Sequence, residues 1–576
     1  MKWQRASGAD PAAGFRLRGL VVAAVLVLCA AVIIGRAIDL QVLKRVFLMT
    51  QGQERFERTL RIPAHRGSIF DRYGEPLAVS TPVDTVWVHP PTLAGQPDQL
   101  PRLAHALARD PAWLTRRVTT SLDSQYLVLA RQLQPEDAER IRSLRIPGVN
   151  LSREYRRYYP AAEVTGQLLG FTGVEDQGQE GLELAYEQLL AGEDGAKRVI
   201  QDRIGRVVED VESIRAPRPG GELTTSVDLR IQYLAYRELK SAVREFQARA
   251  GSVVVIDVRT GEILAMVNQP SFNPNDRTQL DVGHYRNRAA TDIFEPGSSI
   301  KPFIIATALA SGHYSRNSII DTNPGFIRVG IKTIEDHHNL GPIDFATILA
   351  KSSNVGAARV ALALDKAAIW NVLTGLGVGQ VTASGYPGES AGLLAHYSHW
   401  RDISVATLAY GYGLSVTPLQ LAQAYATLGA LGVRHPLTFR RMDAPLSAER
   451  VLDETVCRDV IHMLESVVTA DGTGLHAAVR GYRVAGKTGT AWKSVAGGYS
   501  TDKYMAVFAG LVPASNPRLA AVVVIDEPGG NKYYGGDVAA PTFAAIMSGA
   551  LRLLAVPPDD LTDAPSATLV QTVGGK

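Results

Sequence analysis

Cysteine is nearly absent from this chain: there are two in 576 residues, Cys29 and Cys457. That excludes a disulfide framework, the more so as Cys29 sits in an apolar run. Metal-binding patterns are missing as well, since neither a paired C-x-x-C nor an H-E-x-x-H occurs. The best metal-looking cluster is Glu335-Asp336-His337-His338. Adjacent side chains in a turn-like stretch seldom converge on one ion, so a solvated loop is the expectation. An excess of one charge is lacking too: 60 basic residues stand against 57 acidic ones, a net +3, which makes no case for a nucleic-acid protein. Long apolar runs are absent with one exception.

That exception covers residues 19–35 and extends helically to Leu43. It is long enough for a single bilayer pass, which needs roughly 20 residues, if its end charges snorkel. Lys2, Arg5, Arg16 and Arg18 precede it against one acid, Asp10, so a cytoplasmic tail (1–18) and an exported remainder are expected. Arg36, Lys44 and Arg45 follow closely and weaken that asymmetry. A cleaved signal peptide fits less well, because the run is too long and no small-x-small site follows. Leu26-Val27-Leu28-Cys29 has a bulky Leu28 where a lipoprotein site needs a small residue. The expectation is an uncleaved anchor over 19–43.

A chain of this length has room for two or three domains. Residues 51–219 are charged and broken by turns. Residues 66–78 read as strand, turn at Tyr73-Gly74, and strand, with helices expected over about 100–108 and 135–144. Arg153, Arg156 and Arg157 interleave with Tyr155, Tyr158 and Tyr159. Such a run can bind single-stranded nucleic acid, but stacking inside a domain interface is the expectation. The Pro/Gly-rich stretch 217–221 is the natural boundary. Beyond it, residues 220–558 carry a predicted hairpin at 251–267, a mostly helical block at 300–429, strands at 504–512 and 519–525, and a closing helix at about 540–554. The Pro/Ala/Thr-rich tail 559–576 is expected to be disordered.

Chemistry concentrates at Glu295-Pro296-Gly297-Ser298-Ser299-Ile300-Lys301. Pro296-Gly297 breaks the backbone, an apolar helical run follows, and Ser298 falls near a helix N-terminus with Lys301 one turn on. A buried lysine of lowered pKa one turn from a serine can serve as its base. Taken alone, the pattern is too short to decide, and Ser298 as a mere cap is the blander reading. Ser500-Thr501-Asp502-Lys503 fits it too. Downstream stand Ser352-Ser353-Asn354 and Lys487-Thr488-Gly489-Thr490, the second followed by what reads as an edge strand. Ser352 as a helix cap and Asn354 as ordinary surface are the bland readings there. A decoy overlaps the last motif: residues 481–488 match G-x-x-x-x-G-K-[ST] letter for letter, and 522–527 resemble a Walker B strand. A phosphate-binding loop opens a helix, whereas Gly489, Gly497 and Gly498 sit in a stretch without helical period, so the nucleotide reading is set aside.

The ordered set S-x-x-K, S-x-N, K-T-G resembles the signature of penicillin-binding proteins and serine β-lactamases. Arg66-Gly67…Asp71-Arg72…Gly74, then Arg157-Tyr158-Tyr159-Pro160, then Gly178-Gln179-Glu180-Gly181-Leu182-Glu183 resemble the three boxes of the non-catalytic module of class B penicillin-binding proteins. Ala162 stands where that family often has glycine. Glu163-Val164-Thr165 and Asp202-Arg203-Ile204-Gly205-Arg206 are most similar to members of FtsI type. The resemblance implies an α+β protein: one transmembrane helix, an elongated pedestal (51–219), and a penicilloyl-serine transferase domain (220–558) with an antiparallel sheet and a helical lobe. It implies peptidoglycan D,D-transpeptidation during septal wall synthesis through an acyl-serine, with no metal or organic cofactor. Ser298 would be the nucleophile, Lys301 its base, Ser352 a proton relay, and Asn354 a holder of the substrate amide or of Lys301. Lys487 would give positive charge, the Thr488 and Thr490 hydroxyls would grip the substrate carboxylate, and Gly489 would keep the strand face open for a ligand. The backbone N–H groups of Ser298 and Thr490 would form the oxyanion hole. Implied partners are stem peptides on lipid-linked nascent glycan, β-lactams, and division membrane proteins such as an FtsW-type glycan polymerase. The implied location is the bacterial inner membrane, catalytic domain in the periplasm, at the septum. A carboxypeptidase or β-lactamase-type hydrolase and a non-catalytic scaffold are the alternatives.

Overall fold

The computed structural model describes residues 11–45, 47, 57–201, 207–276, 278, 281–495 and 497–560. The tail beyond 560, Asp202-Arg203-Ile204-Gly205-Arg206 and the first ten residues with Lys2 and Arg5 lie outside the described residues. The chain divides into two compact units: residues 1–64, 82–154 and 193–218 form the first, and 65–81, 155–192 and 219–576 the second.

The first unit begins with α1 (Pro11–Ile38), which continues through a π-helical turn, Asp39–Leu43. Its segment Arg18–Leu43, 26 residues, is long and apolar enough to cross a membrane. Glu57–Ile62, Gly195–Gln201 and Val207–Arg215 form a three-stranded antiparallel sheet. A small separate core joins Val86, Val88, Leu93, Leu103, Leu114, Val118 and Ile141. Its helices Pro90–Ala94, Leu100–Ala106, Pro111–Thr119 and Pro135–Ser143 each have proline in the first turn, where its missing N–H costs nothing and its fixed φ suits the helix.

The second unit is built on a five-stranded antiparallel sheet. In chain order its elements are α2 (Leu229–Glu245), β1 (Ala250–Asp257), β2 (Ile263–Gln269), α3 (Lys301–Ala310), α4 (Asn354–Leu362), α5 (Pro418–Gly429), β3 (Ala485–Val495), β4 (Gly498–Val512), β5 (Leu519–Asp526) and α6 (Ala540–Leu553). The spatial order is β2-β1-β5-β4-β3, which leaves β3 at a sheet edge. Both ends of this region therefore supply the sheet, and the helical lobe is inserted between them. The lobe also carries two short antiparallel strand pairs that the sequence did not suggest, Ile319–Asp321 with Pro342–Asp344 and, between them in sequence, the hairpin Phe326–Val329 with Lys332–Glu335. Their strands have four residues or fewer, too short for a period-2 pattern to stand out.

The Val/Ile-rich strands are buried on both faces, and alternation sorts their side chains between two layers. Val254, Ile256, Val507, Ala509, Val522 and Val524 face a core shared with Leu421, Tyr425 and Leu428 of α5. Val253, Val255, Phe508, Val523 and Ile525 face a second core with Ile231 and Leu239 of α2 and Phe543 and Ile546 of α6. α5 opens with a capping box in which Thr417 and Gln420 satisfy each other's backbone N–H.

The three upstream boxes meet inside this unit around one carboxylate. Glu183 accepts from Arg66 Nε at 2.8 Å and from Arg157 Nε at 2.6 Å, and all three side chains are buried. Arg66 also donates to the Asp176 and Glu183 carbonyls, both at 3.0 Å. In place of stacking, Arg157 is consumed in this ion pair, and the buried Tyr159 hydroxyl accepts Thr172 N–H at 3.1 Å. Desolvation raises the Asp176 carboxyl to about 6.

Candidate active site

Ser298 lies in a single 3₁₀ turn, Gly297–Ile300, that runs directly into α3. Lys301 N–H closes the turn on the Ser298 carbonyl. Gly297 holds a left-handed φ of +56°, and a Cβ on Gly411 would come within 2.0 Å of the Gly297 carbonyl oxygen. The turn is pinned from below by the Tyr425 hydroxyl, which donates to the Ser299 carbonyl at 2.9 Å. One turn on, Lys301 is fully buried. Its Nζ donates to the Ser352 carbonyl (2.5 Å) and Asn354 Oδ1 (2.8 Å), with Ser352 Oγ at 3.3 Å.

The second lysine arrives from the sheet. Lys487, near the start of edge strand β3 and also fully buried, places Nζ 3.0 Å from Ser352 Oγ and 3.1 Å from the Thr488 carbonyl. Two buried amines thus converge on one hydroxyl. Burial lowers Lys301 well below the usual lysine value, and the Lys487 charge lowers it further, while Asp336 opposes both. Burial brings Lys487 down to about 7. Two adjacent ammonium groups in a dry site repel each other, so the neutral form of Lys301 is favoured.

Ser352 is not a helix cap. It has a left-handed φ of +59°, a conformation costly for a residue with a Cβ. The cap is Ser353, whose Oγ accepts Gly356 N–H at 2.8 Å. Asp336 holds this corner: its carboxylate accepts Ser353 Oγ (2.5 Å), Asn354 N (2.5 Å) and Val355 N (3.1 Å). The expectation of a solvated loop over residues 335–338 therefore missed a structural anion at the start of α4, where the exposed N–H groups and helix dipole favour it. No sequence pattern links Asp336 to the S-x-N motif.

Along β3, Thr488 Oγ1 lies 2.8 Å from Thr473 Oγ1, and Thr490 Oγ1 accepts Gly535 N–H at 3.0 Å. Trp492 N–H points off the free sheet edge to the Tyr412 hydroxyl at 3.0 Å. Period-2 alternation sends Thr490 N–H the same way. Gly489 has a different reason from an open strand face: a Cβ there would meet the Pro296 carbonyl at 2.7 Å, so glycine lets the nucleophile turn lie against the strand.

Ser298, Ser352, Asn354, Thr488 and Thr490 line one cleft of about 1150 Å³, joined by Tyr410, Tyr412, Trp492 and Tyr504. Lys301 and Lys487 lie buried beneath it. The decoys separate cleanly. Ser500 also lines the cleft, but it sits in β4, donates to Asp502 at 2.6 Å, and Lys503 pairs with Glu527 at 3.1 Å. Ser500 Oγ also accepts the Asp502 and Lys503 N–H groups, at 3.3 and 3.2 Å, so it is engaged with its own turn and has no lysine as base. Gly486-Lys487-Thr488 is strand and opens no helix, which disposes of the phosphate-loop reading.

The family model "Penicillin binding protein transpeptidase domain" matches residues 251–548, and "Penicillin-binding Protein dimerisation domain" matches 61–225. The chain is 43% identical over 542 residues to a protein of Escherichia coli (strain K12) named peptidoglycan D,D-transpeptidase FtsI, covering 93% of this chain and 92% of that one. It is 41% identical to the probable peptidoglycan D,D-transpeptidase PenA of Neisseria gonorrhoeae, covering 94% and 92%. Among solved structures it is similar to the penicillin-binding protein 3 of Mycobacterium tuberculosis complexed with aztreonam, with a TM-score of 0.68 and 27% identity, covering 87% of this chain and 98% of that one.

Proposed function

The chain belongs to the class B penicillin-binding proteins and is an FtsI-type peptidoglycan D,D-transpeptidase; within that activity we propose that Ser298 is the acylated nucleophile and Lys301 its base. The observation that carries this is the convergence of two buried amines on Ser352 Oγ beneath the cleft that Ser298 lines.

A neutral amine has two N–H bonds and one lone pair. The Ser352 carbonyl and Asn354 Oδ1 take both N–H bonds of Lys301, and the lone pair remains for the Ser298 proton. Ser298 Oγ then attacks the carbonyl of the penultimate D-Ala of a donor stem peptide. Backbone N–H groups of Ser298 and Thr490 receive the oxyanion. Collapse breaks the D-Ala–D-Ala amide, and the leaving amine takes a proton from Lys301 by way of Ser352, which Lys487 orients. The Thr488 and Thr490 hydroxyls hold the terminal carboxylate, and Lys487 supplies positive charge from beneath them. An amine from a second stem then attacks the acyl-serine and forms the cross-link. A β-lactam acylates the same serine, but its leaving group stays tethered.

Residues 19–43 serve as the membrane anchor, with the cytoplasmic tail before them. Residues 51–219 act as pedestal and docking surface for division partners, an FtsW-type glycan polymerase among them, and 220–558 as the catalytic domain in the periplasm at the septum. The charge pattern around α1 and the likeness to FtsI support this placement.

The test is covalent labelling of the full-length protein in detergent by a fluorescent penicillin, beside Ser298→Ala. Wild type labels stably and the variant does not. Equal labelling of both transfers the role to Ser500, and no labelling of folded protein overturns the acyl-serine.

A further inference from the structure

Tyr410, Tyr412 and Tyr499 line the cleft together with Ser298. Their rings meet edge to face: Tyr410 and Tyr412 at 5.6 Å and 63°, Tyr412 and Tyr499 at 5.3 Å and 83°. Successive rings therefore turn their faces in different directions and make a corner, not a stack. The Tyr412 hydroxyl is fixed to the sheet edge by Trp492 N–H. Behind the corner stands Glu295, three residues before the nucleophile. One of its oxygens accepts the Tyr499 hydroxyl at 2.9 Å and Gly413 N–H at 2.8 Å. The other is buried with no hydrogen-bond partner, and among the described residues no basic side chain pairs with this carboxylate. Its field reaches the rings: burial first, and then Glu295, raise the Tyr499 phenol.

A carboxylate without a counter-charge, hydrogen-bonded to the hydroxyl rim of an aromatic corner, is complementary to an ammonium group. The transferase reaction brings one, because the acceptor is a primary amine and arrives protonated at neutral pH. Resting on the assignment of Ser298 as the acylated serine, we propose that the Tyr410–Tyr412–Tyr499 corner backed by Glu295 is the acceptor site, which receives the protonated side-chain amine of the second stem peptide. The site gathers the ammonium beside the acyl-serine, where it releases one proton to solvent. The amine lone pair then forms the C–N bond. Its next proton passes through Lys301 to Ser298 Oγ as the ester C–O bond breaks. Water has no such charge, so the site favours transfer over hydrolysis without assisting acylation. The other charged residues lining the cleft, Lys332, Asp336, Lys351, Asp471 and Asp537, are of mixed sign; the Asp336 carboxylate is taken up by Ser353 Oγ and the Asn354 and Val355 N–H groups, and Lys351 donates to the Asp471 carbonyl at 2.7 Å.

The decisive measurement is the partition of the acyl-enzyme, which is independent of how fast it forms. Full-length protein in detergent is acylated by a thioester donor, and the ratio of aminolysis to hydrolysis product is read with two acceptors. One is a diamino-acid peptide carrying an ammonium, and the other is hydroxylamine, uncharged at neutral pH. Glu295→Gln is expected to lower the ratio for the ammonium acceptor by about fivefold or more and to leave that for hydroxylamine in place. Tyr499→Leu, at a half-exposed position, is expected to act in the same sense and serves if Glu295→Gln fails to fold. Unchanged ratios, or equal losses with both acceptors, overturn the acceptor site alone. Failure of wild type to form an acyl-enzyme overturns the Ser298 assignment and this site with it.

Discussion

The Ser353 hydroxyl donates to Asp336 at 2.5 Å while accepting Gly356 N–H at 2.8 Å. This bond ties a loop aspartate to the residue between Ser352 and Asn354, the two groups that hold Lys301. Asp336 thereby fixes where the Lys301 acceptors stand, and its charge opposes the fall of the Lys301 pKa.

Asp336→Asn should act through both effects at once. Losing the anion misaligns Ser352 and Asn354, so penicillin acylation should fall roughly tenfold at its optimum, on the order of 1–2 kcal/mol for a weakened charge-assisted network. The same change removes a negative field from Lys301, so the rising acid limb of the pH–acylation profile should move to lower pH. A stopped-flow acylation profile reads both. A purely structural role would lower the rate without moving the limb.

Lys487 is stabilising to the reaction and costly to the fold. Its folded pKa is near 7, below the unfolded value of about 10.4. Between these values the unfolded chain binds the extra proton, and stability rises with pH. Lys487→Met keeps volume and removes that penalty. The variant should therefore melt higher than wild type at pH 7, with the difference shrinking as pH approaches 10, and should have lost acylation by at least about 100-fold. Thermal melts at pH 7 and pH 10 decide it. A lower Tm for the variant at pH 7 would contradict the sign.

Much of this site was legible because its three motifs are local. Ser298 and Lys301 stand one turn apart whatever the rest of the chain does, and the Gly261 turn between a Val-rich run and a second apolar run marks β1 and β2. What could not be read depends on long-range contacts. Asp336 is 17 residues from Ser353 in a stretch with the composition of an ordinary loop. The left-handed Ser352 follows from the corner into α4, and a serine in that conformation leaves no trace in composition. Gly489 was legible as a glycine of its motif, but its reason was not, since the Pro296 carbonyl it admits lies far off in sequence. The Arg-Tyr run at 153–160 misled for the same cause: the partner that buries Arg157, Glu183, belongs to another box.

That partner gives the last prediction. Glu183 is the shared acceptor of Arg66 and Arg157, and all three side chains are at most 2% exposed. Glu183→Gln keeps the shape but leaves Arg157 without an ion-pair partner and Arg66 paired only with Glu187, which is 30% exposed, while the Asp176 carboxylate acts on both arginines through its field alone. An uncompensated buried guanidinium costs about 3–5 kcal/mol, so Glu183→Gln should lower Tm by several degrees or more, with urea unfolding reading the same loss. Arg157→Met alone should also destabilise, by leaving one side of Glu183 unpaired. Because the two changes remove one interaction, the double variant should lose at least about 1 kcal/mol less than the sum of the singles. Simple additivity would mean that Glu183 serves Arg66 alone and that the second box is held by packing. Since the triad lies outside the cleft, the folded fraction of each variant should still be acylated by penicillin at the wild-type rate, which separates a loss of fold from a loss of chemistry.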